Sequence, residues 1–402
     1  MNNIQEKLIE DGKSVFAPTY NQLPIVLDGG KGVHVFDVEG NDYLDFSAGI
    51  AVNLLGYGDE GFSNALKRVI DNGIFHCSNI YWNKYSIEVA NKLTNLSKMD
   101  QVFFCNSGTE ANEAALKVAR KYGKSKDINC TSVISMDHSF HGRTFGSLST
   151  TGQAKYQESF FPLLEGVSYA TYNDIKSVEA LISSTTCAII VEPIQGEGGI
   201  IPADKEFLQG LRELADKNDL ILIFDEVQCG MGRTSEVFAF QSYGVTPDVV
   251  TLAKALGGGL PCGAMITKGK ADNILIAGDH GSTFGGNLLA MAAASYVLDQ
   301  ISDKKFLNHV NLMSKYLVKK LYELKDKYPK QIVDIRGLGL MIGMQMTNPP
   351  QDIIKNCFDN KLLLLKAGTD VIRFVPPLVI CESDIDEAIS ILDKAIEEVA
   401  SK

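Results

Sequence analysis

Between Gly56 and Gly286, short apolar runs alternate with helix-length stretches of mixed polarity; the runs lie at 102–104, 133–134, 188–191, 220–224 and 249–252. They do not alternate with polar residues, so they predict strands buried on both faces, in a mainly parallel sheet covered by helices. Residues 288–326 keep a helical period and contain neither Gly nor Pro, which predicts long helices leading away from that sheet. The pattern then changes. Short strands are expected at 332–335, 340–346, 362–365 and 371–375, followed from about Ser383 by an amphipathic helix with Ile385, Ala388, Ile389, Leu392 and Ile396 on one face. A hairpin-like segment over 32–46, turning at Glu39-Gly40-Asn41, is expected to join this tail. The chain therefore divides into an N-terminal segment 1–55 that joins a small α+β domain, a large domain 56–304, and a C-terminal part of the small domain, 305–402. No internal repeat or low-complexity linker interrupts it.

Composition narrows the classes. The chain has 402 residues, which at ~150 residues per domain allows two or three domains. Its 45% hydrophobic and 22% charged residues are ordinary globular values. With 38 Lys and Arg against 49 Asp and Glu, the net charge of −11 disfavours nucleic acid as a partner. No stretch reaches the ~18–20 uninterrupted apolar residues that cross a bilayer, so no membrane association is expected. The segment 1–12 mixes Glu6, Lys7, Glu10 and Asp11 with few apolar residues and lacks the pattern of a targeting signal. Eight scattered cysteines without a C-x-x-C pair, and six histidines without H-E-x-x-H, fit a reduced cytoplasm and no metal site.

In open α/β sheets ligands gather at the carboxyl ends of the strands, and three of these ends carry unusual residues. After the first run comes Asn106-Ser107-Gly108-Thr109-Glu110-Ala111-Asn112-Glu113, where small residues open a helix. That is either an ordinary N-cap or a cradle for a phosphate dianion at the positive end of the helix dipole. The run 220–224 ends in Asp225-Glu226-Val227-Gln228, placing a carboxylate at a strand terminus. The run 249–252 leads through Ala253 to Lys254 and then Gly257-Gly258-Gly259. A lysine between a buried strand and a glycine turn is partly desolvated, which favours the neutral, nucleophilic amine and makes it a Schiff-base candidate. Phosphate cradle, carboxylate and lysine together answer the three needs of pyridoxal 5'-phosphate: a phosphate site, an acid for the ring nitrogen and an amine for the aldehyde. A nucleotide P-loop is absent, and Gly337-Leu338-Gly339 does not open a helix.

The chain resembles the class III, fold-type I pyridoxal-phosphate aminotransferases, and within them the acetylornithine aminotransferases. The resemblance runs end to end through Phe36-Asp37-Val38-Glu39-Gly40, the 106–113 segment, Phe140-His141-Gly142-Arg143-Thr144, Glu192-Pro193-Ile194-Gln195-Gly196-Glu197-Gly198-Gly199, the 225–228 segment, Lys254, and Gly281-Ser282-Thr283-Phe284-Gly285-Gly286-Asn287. It implies a large domain with a seven-stranded, mainly parallel sheet, a smaller α+β domain from both chain ends, and a homodimer with shared sites.

It also implies roles by position. Lys254 forms the Schiff base, and Asp225 binds the ring nitrogen. Ser107, Gly108 and Thr109 hold the phosphate, and Phe140 stacks on the ring. The 225–228 segment lies at the cofactor, counting Glu226 and Val227 among the contacts and putting Gln228 on the ring hydroxyl. Thr283 reaches the phosphate of the partner subunit, with Ser282 beside the substrate. Arg143 clamps the substrate carboxylate. Arg373 is the second carboxylate arginine, and Glu197 pairs with it while the amino donor occupies the site. Read from residues alone, Phe140 is a plain core aromatic, and the alternative for Arg143 is a surface charge.

The implied reaction passes the amino group of N-acetylornithine to 2-oxoglutarate in two half-reactions, in arginine biosynthesis. Ile50, where ornithine aminotransferases tend to carry tyrosine, leaves room for an acylated amine. Tyr57 departs from a common His, Cys262 from a common Ile and Leu288 from a frequent Pro. Ornithine, succinyl-diaminopimelate and 4-aminobutyrate are the alternative donors, and an aminomutase of the same cofactor is a rival class. Cys105, Cys229 and Cys262, close in sequence to cofactor positions, are candidates to sense oxidation.

Overall fold

The computed structural model describes residues 4–401. Residues 1–3, part of the segment read as carrying no targeting signal, and Lys402 lie outside the described residues. The large sheet is built from β1 (Gln101–Cys105), β2 (Ser132–Met136), β3 (Val167–Ala170), β4 (Thr186–Val191), β5 (Ile221–Asp225), β6 (Val249–Leu252) and β7 (Gly263–Thr267). Their order across the sheet is β1-β7-β6-β5-β4-β2-β3. Only β7 runs against its neighbours; the other pairings are parallel. Every residue of β4, β5, β6 and β7 is buried, which is why the central runs read as continuously apolar.

Two strands were not legible as apolar runs. Edge strand β3, Val-Ser-Tyr-Ala, is half-buried and alternates with polar residues. Strand β7 begins with glycine and alanine, and its place beside β1 is set by pairing of Gly263 with Cys105, not by its own hydrophobicity.

Helix α1 (Gly108–Lys126) follows β1 and covers the sheet with Ala111, Ala114, Ala115 and Val118. The periodic segment after the sheet folds as two helices, α2 (Leu288–Ser302) and α3 (Lys304–Lys327). Asp303 separates them: its backbone leaves helical geometry at ψ 119°, and its side chain caps α3 by accepting from Lys305 N at 2.8 Å.

The tail forms an antiparallel sheet of Ile332–Leu338, Met341–Met346, Val371–Phe374 and Leu365–Ala367, followed by α4 (Glu382–Ala400). The two chain ends meet in one sheet. Strands Leu27–Lys31, His34–Asp37 and Asp42–Asp45 form a sheet that Leu362–Leu363 completes in parallel, with Leu362 opposite Leu44. Apolar contact then runs from Val33 and Leu44 through Phe224 and Leu298 to Leu392, all within one buried cluster. Among the described residues no helix is long and apolar enough to cross a membrane.

Candidate active site

Parallel pairing sets Asp225 of β5 opposite Thr251 of β6, so the two strands end at the same level. Asp225 and Lys254 consequently arrive on one side of the sheet, at the mouth of a cavity of about 440 Å³. Ser107, Gly108, Thr109, Phe140, Arg143, Val227 and Gln228 line it with them. Lys254 opens a short 3-10 turn, Lys254–Gly257. Its φ of 43° is left-handed, a strained conformation for a residue with a Cβ that persists where surrounding structure imposes it. Burial pushes its amine down to about 8, although the carboxylate of Glu197 pulls the other way.

The Asp225 carboxylate is held from several sides. Its Oδ2 accepts from Asn112 Nδ2 at 2.7 Å and stands 2.8 Å from His141 Nδ1, and its Oδ1 accepts from Val227 N at 3.0 Å. Asn112 is fixed in turn: its Oδ1 accepts from Thr251 Oγ1 at 2.7 Å and its Nδ2 also donates to the carbonyl of His141 at 2.7 Å. Behind them Glu192 accepts from Phe140 N at 2.9 Å and Gly196 N at 3.1 Å. Burial pushes Glu192 up to about 7. One Asp225 oxygen thus keeps a single neighbour from its own backbone and faces the cavity.

The 106–109 segment lines the same cavity, and its N-cap reading is seen directly. Ser107 is the N-cap of α1, its Oγ accepting from Glu110 N at 3.3 Å. The first amides of the helix, Gly108 and Thr109, have no carbonyl of their own helix to reach and open into the cavity. Gly108 is required here by space: a Cβ would lie 2.7 Å from Val227 Cγ1. Thr109 Oγ1 lies 2.8 Å from Thr144 Oγ1, which donates to Glu113 at 2.5 Å.

The two arginines differ in setting. Arg143 is exposed at the mouth, its guanidinium 4.2 Å from the ring centroid of Tyr156 and 5.5 Å from that of Phe140. Phe140 is half-buried and meets Tyr156 edge-on at 5.7 Å, so it is a wall of the cavity and not plain core. Arg373, on the buried strand Val371–Phe374, pairs through Nη1 with Glu197 and donates to Gln228 Oε1 at 3.2 Å. Burial would raise Glu197, but the charges of Arg373 and Lys254 outweigh it and hold the carboxyl below its usual range.

Three sequence expectations change, those for Glu226, Ser282 and the thiols, whereas Thr283 was expected at the partner subunit's site. Glu226 does not line the cavity: its side chain takes Ala239 N at 2.7 Å and Phe240 N at 2.6 Å, anchoring the start of the helix Ala239–Tyr243. Successive side chains at a strand end point to opposite faces, so Asp225 facing the cavity sends Glu226 away. Burial pushes Glu226 up to about 8. Thr283 is exposed and outside the cavity of its own chain. Ser282 lies behind the cradle, its Oγ accepting from Asn106 Nδ2 at 3.1 Å and Gly285 N at 3.0 Å. The thiols near the site are poor redox sensors. Burial pushes Cys105 up to about 12 and raises Cys229 and Cys262 as well, so little reactive thiolate forms.

The residues that sequence reasoning passed over are Asn112, His141, Glu192 and Val52. Asn112 had a signal: it is the buried polar residue on the alanine face of α1, where an amide must find partners. His141 and Glu192 had none, because the partners that give them a role, Asp225 and the Phe140 amide, lie 84 and 52 residues away.

Comparison with known proteins identifies the family. The family model for class-III aminotransferases matches residues 15–396. An acetylornithine aminotransferase of Clostridium acetobutylicum is 50% identical over 387 residues, 96% of this chain and 100% of that protein. Another, of Methanocaldococcus jannaschii, is 45% identical across 98% of this chain and 99% of its own. Among solved structures, the N-acetylornithine aminotransferase of Stenotrophomonas maltophilia superposes with a TM-score of 0.84 at 33% identity, covering 98% of this chain and 100% of that one.

Proposed function

We propose that this chain, which belongs to the class-III aminotransferases, transfers the terminal amino group of N-acetylornithine to 2-oxoglutarate. The products are N-acetylglutamate 5-semialdehyde and glutamate, and the step belongs to arginine biosynthesis. The observation that carries the reading is the convergence of Lys254, Asp225 and the Ser107–Thr109 turn on one cavity, in a chain half identical to an acetylornithine aminotransferase.

The residues fit pyridoxal 5'-phosphate. The cradle at the start of α1 presents backbone N–H groups where a side chain on Gly108 would collide, Asp225 offers a fixed carboxylate, and Lys254 offers an amine lowered to about 8. Bound there, the cofactor supplies a carbonyl for the amine and a ring that accepts electrons from the substrate carbon. The rest is done by the chain. Asp225, oriented by Asn112 and His141, stabilises positive charge at a ring nitrogen. Gly108 and Thr109 take the phosphate. Phe140 and Val227 exclude water from the ring faces. The amine of Lys254 would accept the proton from the substrate carbon that bears the nitrogen and hold it for return.

Arg143 suits the substrate carboxylate, because a guanidinium fork matches two carboxylate oxygens and the stack on Tyr156 holds it flat. Arg373 is neutralised by Glu197 in this state, so the inner carboxylate position is closed to a donor that lacks a second acid group. A dicarboxylate such as 2-oxoglutarate competes with Glu197 for it. Ile50 at the rim offers an acylated amine neither charge nor bulk.

The enzyme in this reading is a cytoplasmic homodimer. Ile80, Tyr81 and Trp82 are 85%, 70% and 90% exposed. They adjoin Asn79, which donates to Ser282 O at 2.7 Å. That is a large apolar face beside Ser282 and Thr283, and a second copy covering it would bring Thr283 to the partner's cradle. Steady-state assays with 2-oxoglutarate and N-acetylornithine, ornithine, succinyl-diaminopimelate or 4-aminobutyrate test the activity. N-acetylornithine should give the highest kcat/KM, and a clear win for ornithine or 4-aminobutyrate defeats the proposal.

A further inference from the structure

Residues Ala48, Gly49, Ile50 and Ala51 all have positive φ, at 47°, 62°, 66° and 62°. They form a left-handed turn, closed by Ala51 N donating to Ser47 O at 3.0 Å and Val52 N donating to Ala48 O at 2.8 Å. A Cβ crowds the following carbonyl in this conformation, so consecutive left-handed residues other than glycine are costly. Strain of this kind persists only where the surroundings over-determine it, and it concentrates at functional sites.

The surroundings here are a single chain of hydrogen bonds. Asp45, buried at the end of the strand Asp42–Asp45, accepts through Oδ1 from Ser47 N at 2.7 Å, Ser47 Oγ at 2.5 Å and Ala48 N at 3.0 Å. Its Oδ2 accepts from Tyr57 Oη at 2.6 Å, and Tyr57 Oη accepts from Asn53 Nδ2 at 3.0 Å. The residue before the turn is thereby tied to the residues after it through one phenol. Tyr57 is itself fixed, exchanging backbone bonds of 2.8 Å in each direction with Gly32. Its ring passes so near Gly30 that a Cβ there would lie 2.7 Å from Tyr57 Cγ. Burial, reinforced by Asp45, raises the phenol, so it remains a donor across the working range of pH.

The turn leads directly into a wall of the active site through Val52, the residue that follows it. Val52 lines the cavity together with Gly259 and Leu260. Asn53 Oδ1 lies 3.2 Å from where a Cβ on Gly259 would sit. Ile50, at the tip, is 44% exposed.

We propose that Tyr57 is a positioning residue for the amino donor: its hydroxyl, shared between Asp45 and Asn53, holds the left-handed turn 48–51 as the surface that receives the acylated end of the donor. The inference rests on the acetylornithine reading. The acceptor 2-oxoglutarate has no acyl amide and is held by the arginines, so loss of the turn's geometry falls on the donor.

Tyr57→Phe tests this, because it keeps the ring against Gly30 and removes only the hydroxyl. In the cofactor-loaded enzyme the KM for N-acetylornithine should rise roughly five- to tenfold, with kcat and the KM for 2-oxoglutarate within about twofold of wild type, the scale of one lost charge-assisted hydrogen bond. Asn53→Ala should shift the same constant in the same direction. Amide hydrogen exchange at Ala51, Val52 and Asn53 should accelerate about tenfold in Tyr57→Phe at unchanged melting temperature, a local and not a global opening. An unchanged donor KM, equal shifts in both KM values, or unchanged exchange overturns the positioning role. Failure of the wild-type enzyme to use N-acetylornithine overturns the donor reading instead, while the exchange measurement still decides whether the hydroxyl holds the turn.

Discussion

His141 Nδ1 and Asp225 Oδ2 stand 2.8 Å apart, and both side chains are buried. The imidazole thus helps to orient the carboxylate. The other imidazole nitrogen, Nε2, is buried without a partner among the described residues. Removing the imidazole leaves Asp225 with Asn112 and Val227 alone. His141→Ala should therefore weaken pyridoxal phosphate binding about tenfold, as loss of a hydrogen bond to a charged group would. Fluorescence titration of the cofactor-free protein measures it; wild-type affinity would remove His141 from the site.

Lys254→Ala should abolish turnover while the protein still folds. After borohydride reduction of the loaded protein, mass spectrometry should find a pyridoxyl adduct on the Lys254 peptide of the wild type and none on that peptide in the variant. An adduct on another lysine would reassign the nucleophile.

The same amine predicts a pH profile. Its folded value of about 8 lies below the ordinary 10.5, so the neutral nucleophile becomes dominant above about 8. The rate at which cofactor-free protein takes up pyridoxal phosphate should climb through that pH, as followed by visible absorbance. The unfolded chain binds the extra proton between the two values, so this lysine also makes the cofactor-free protein more stable as pH rises from about 8 to 10.5. A flat uptake rate from about pH 7 to about 9 would show that the amine is not desolvated.

Arg143→Lys keeps the charge and removes the fork and its stack on Tyr156, which lies 4.2 Å away. The KM for both substrates should rise roughly tenfold with kcat little changed, since a point charge replaces a two-point clamp. Unchanged KM values would leave Arg143 as a surface residue stacked on an aromatic pair.

Glu197→Gln removes the partner of a buried guanidinium. Arg373 would then attract carboxylates in both half-reactions, so the preference for N-acetylornithine over glutamate as donor should fall about tenfold. In the wild type that preference should persist at every pH above the ordinary carboxyl value of 4.5 and weaken only as pH falls below it, because Glu197 is held lower still. Single-turnover rates with each donor decide it. An unaltered ratio would mean the pair is structural.

The central strands and most of the site's charged residues were legible because the physics that places them is local. A run such as 221–225 must be buried on both faces, so whatever ends it stands at the edge of the sheet: Asp225 and Lys254 were readable for that reason. Edge strand β3 and the antiparallel β7 were not, since pairing, not hydrophobicity, defines them. The long periodic segment 288–326 was correctly helical, but its break at Asp303 depended on a cap competing with one more turn of helix.

Within the site the boundary is equally physical. The chain order alone specified which chemical groups this protein owns at its strand ends, an amine, a carboxylate and a capped helix start, while the two arginines were singled out by the family resemblance. It also put Glu226 beside Asp225 without saying that one faces the cavity and the other anchors a helix, a difference set by side-chain alternation at a strand end. Only the tertiary structure decided that His141 and Asn112 orient Asp225 and that Tyr57 secures a left-handed turn. Hydrogen bonds act over about 3 Å, while Asn112 and His141 lie 113 and 84 residues from Asp225, and even Tyr57 is 12 residues from Asp45. Such distances are closed only when the sheet has assembled.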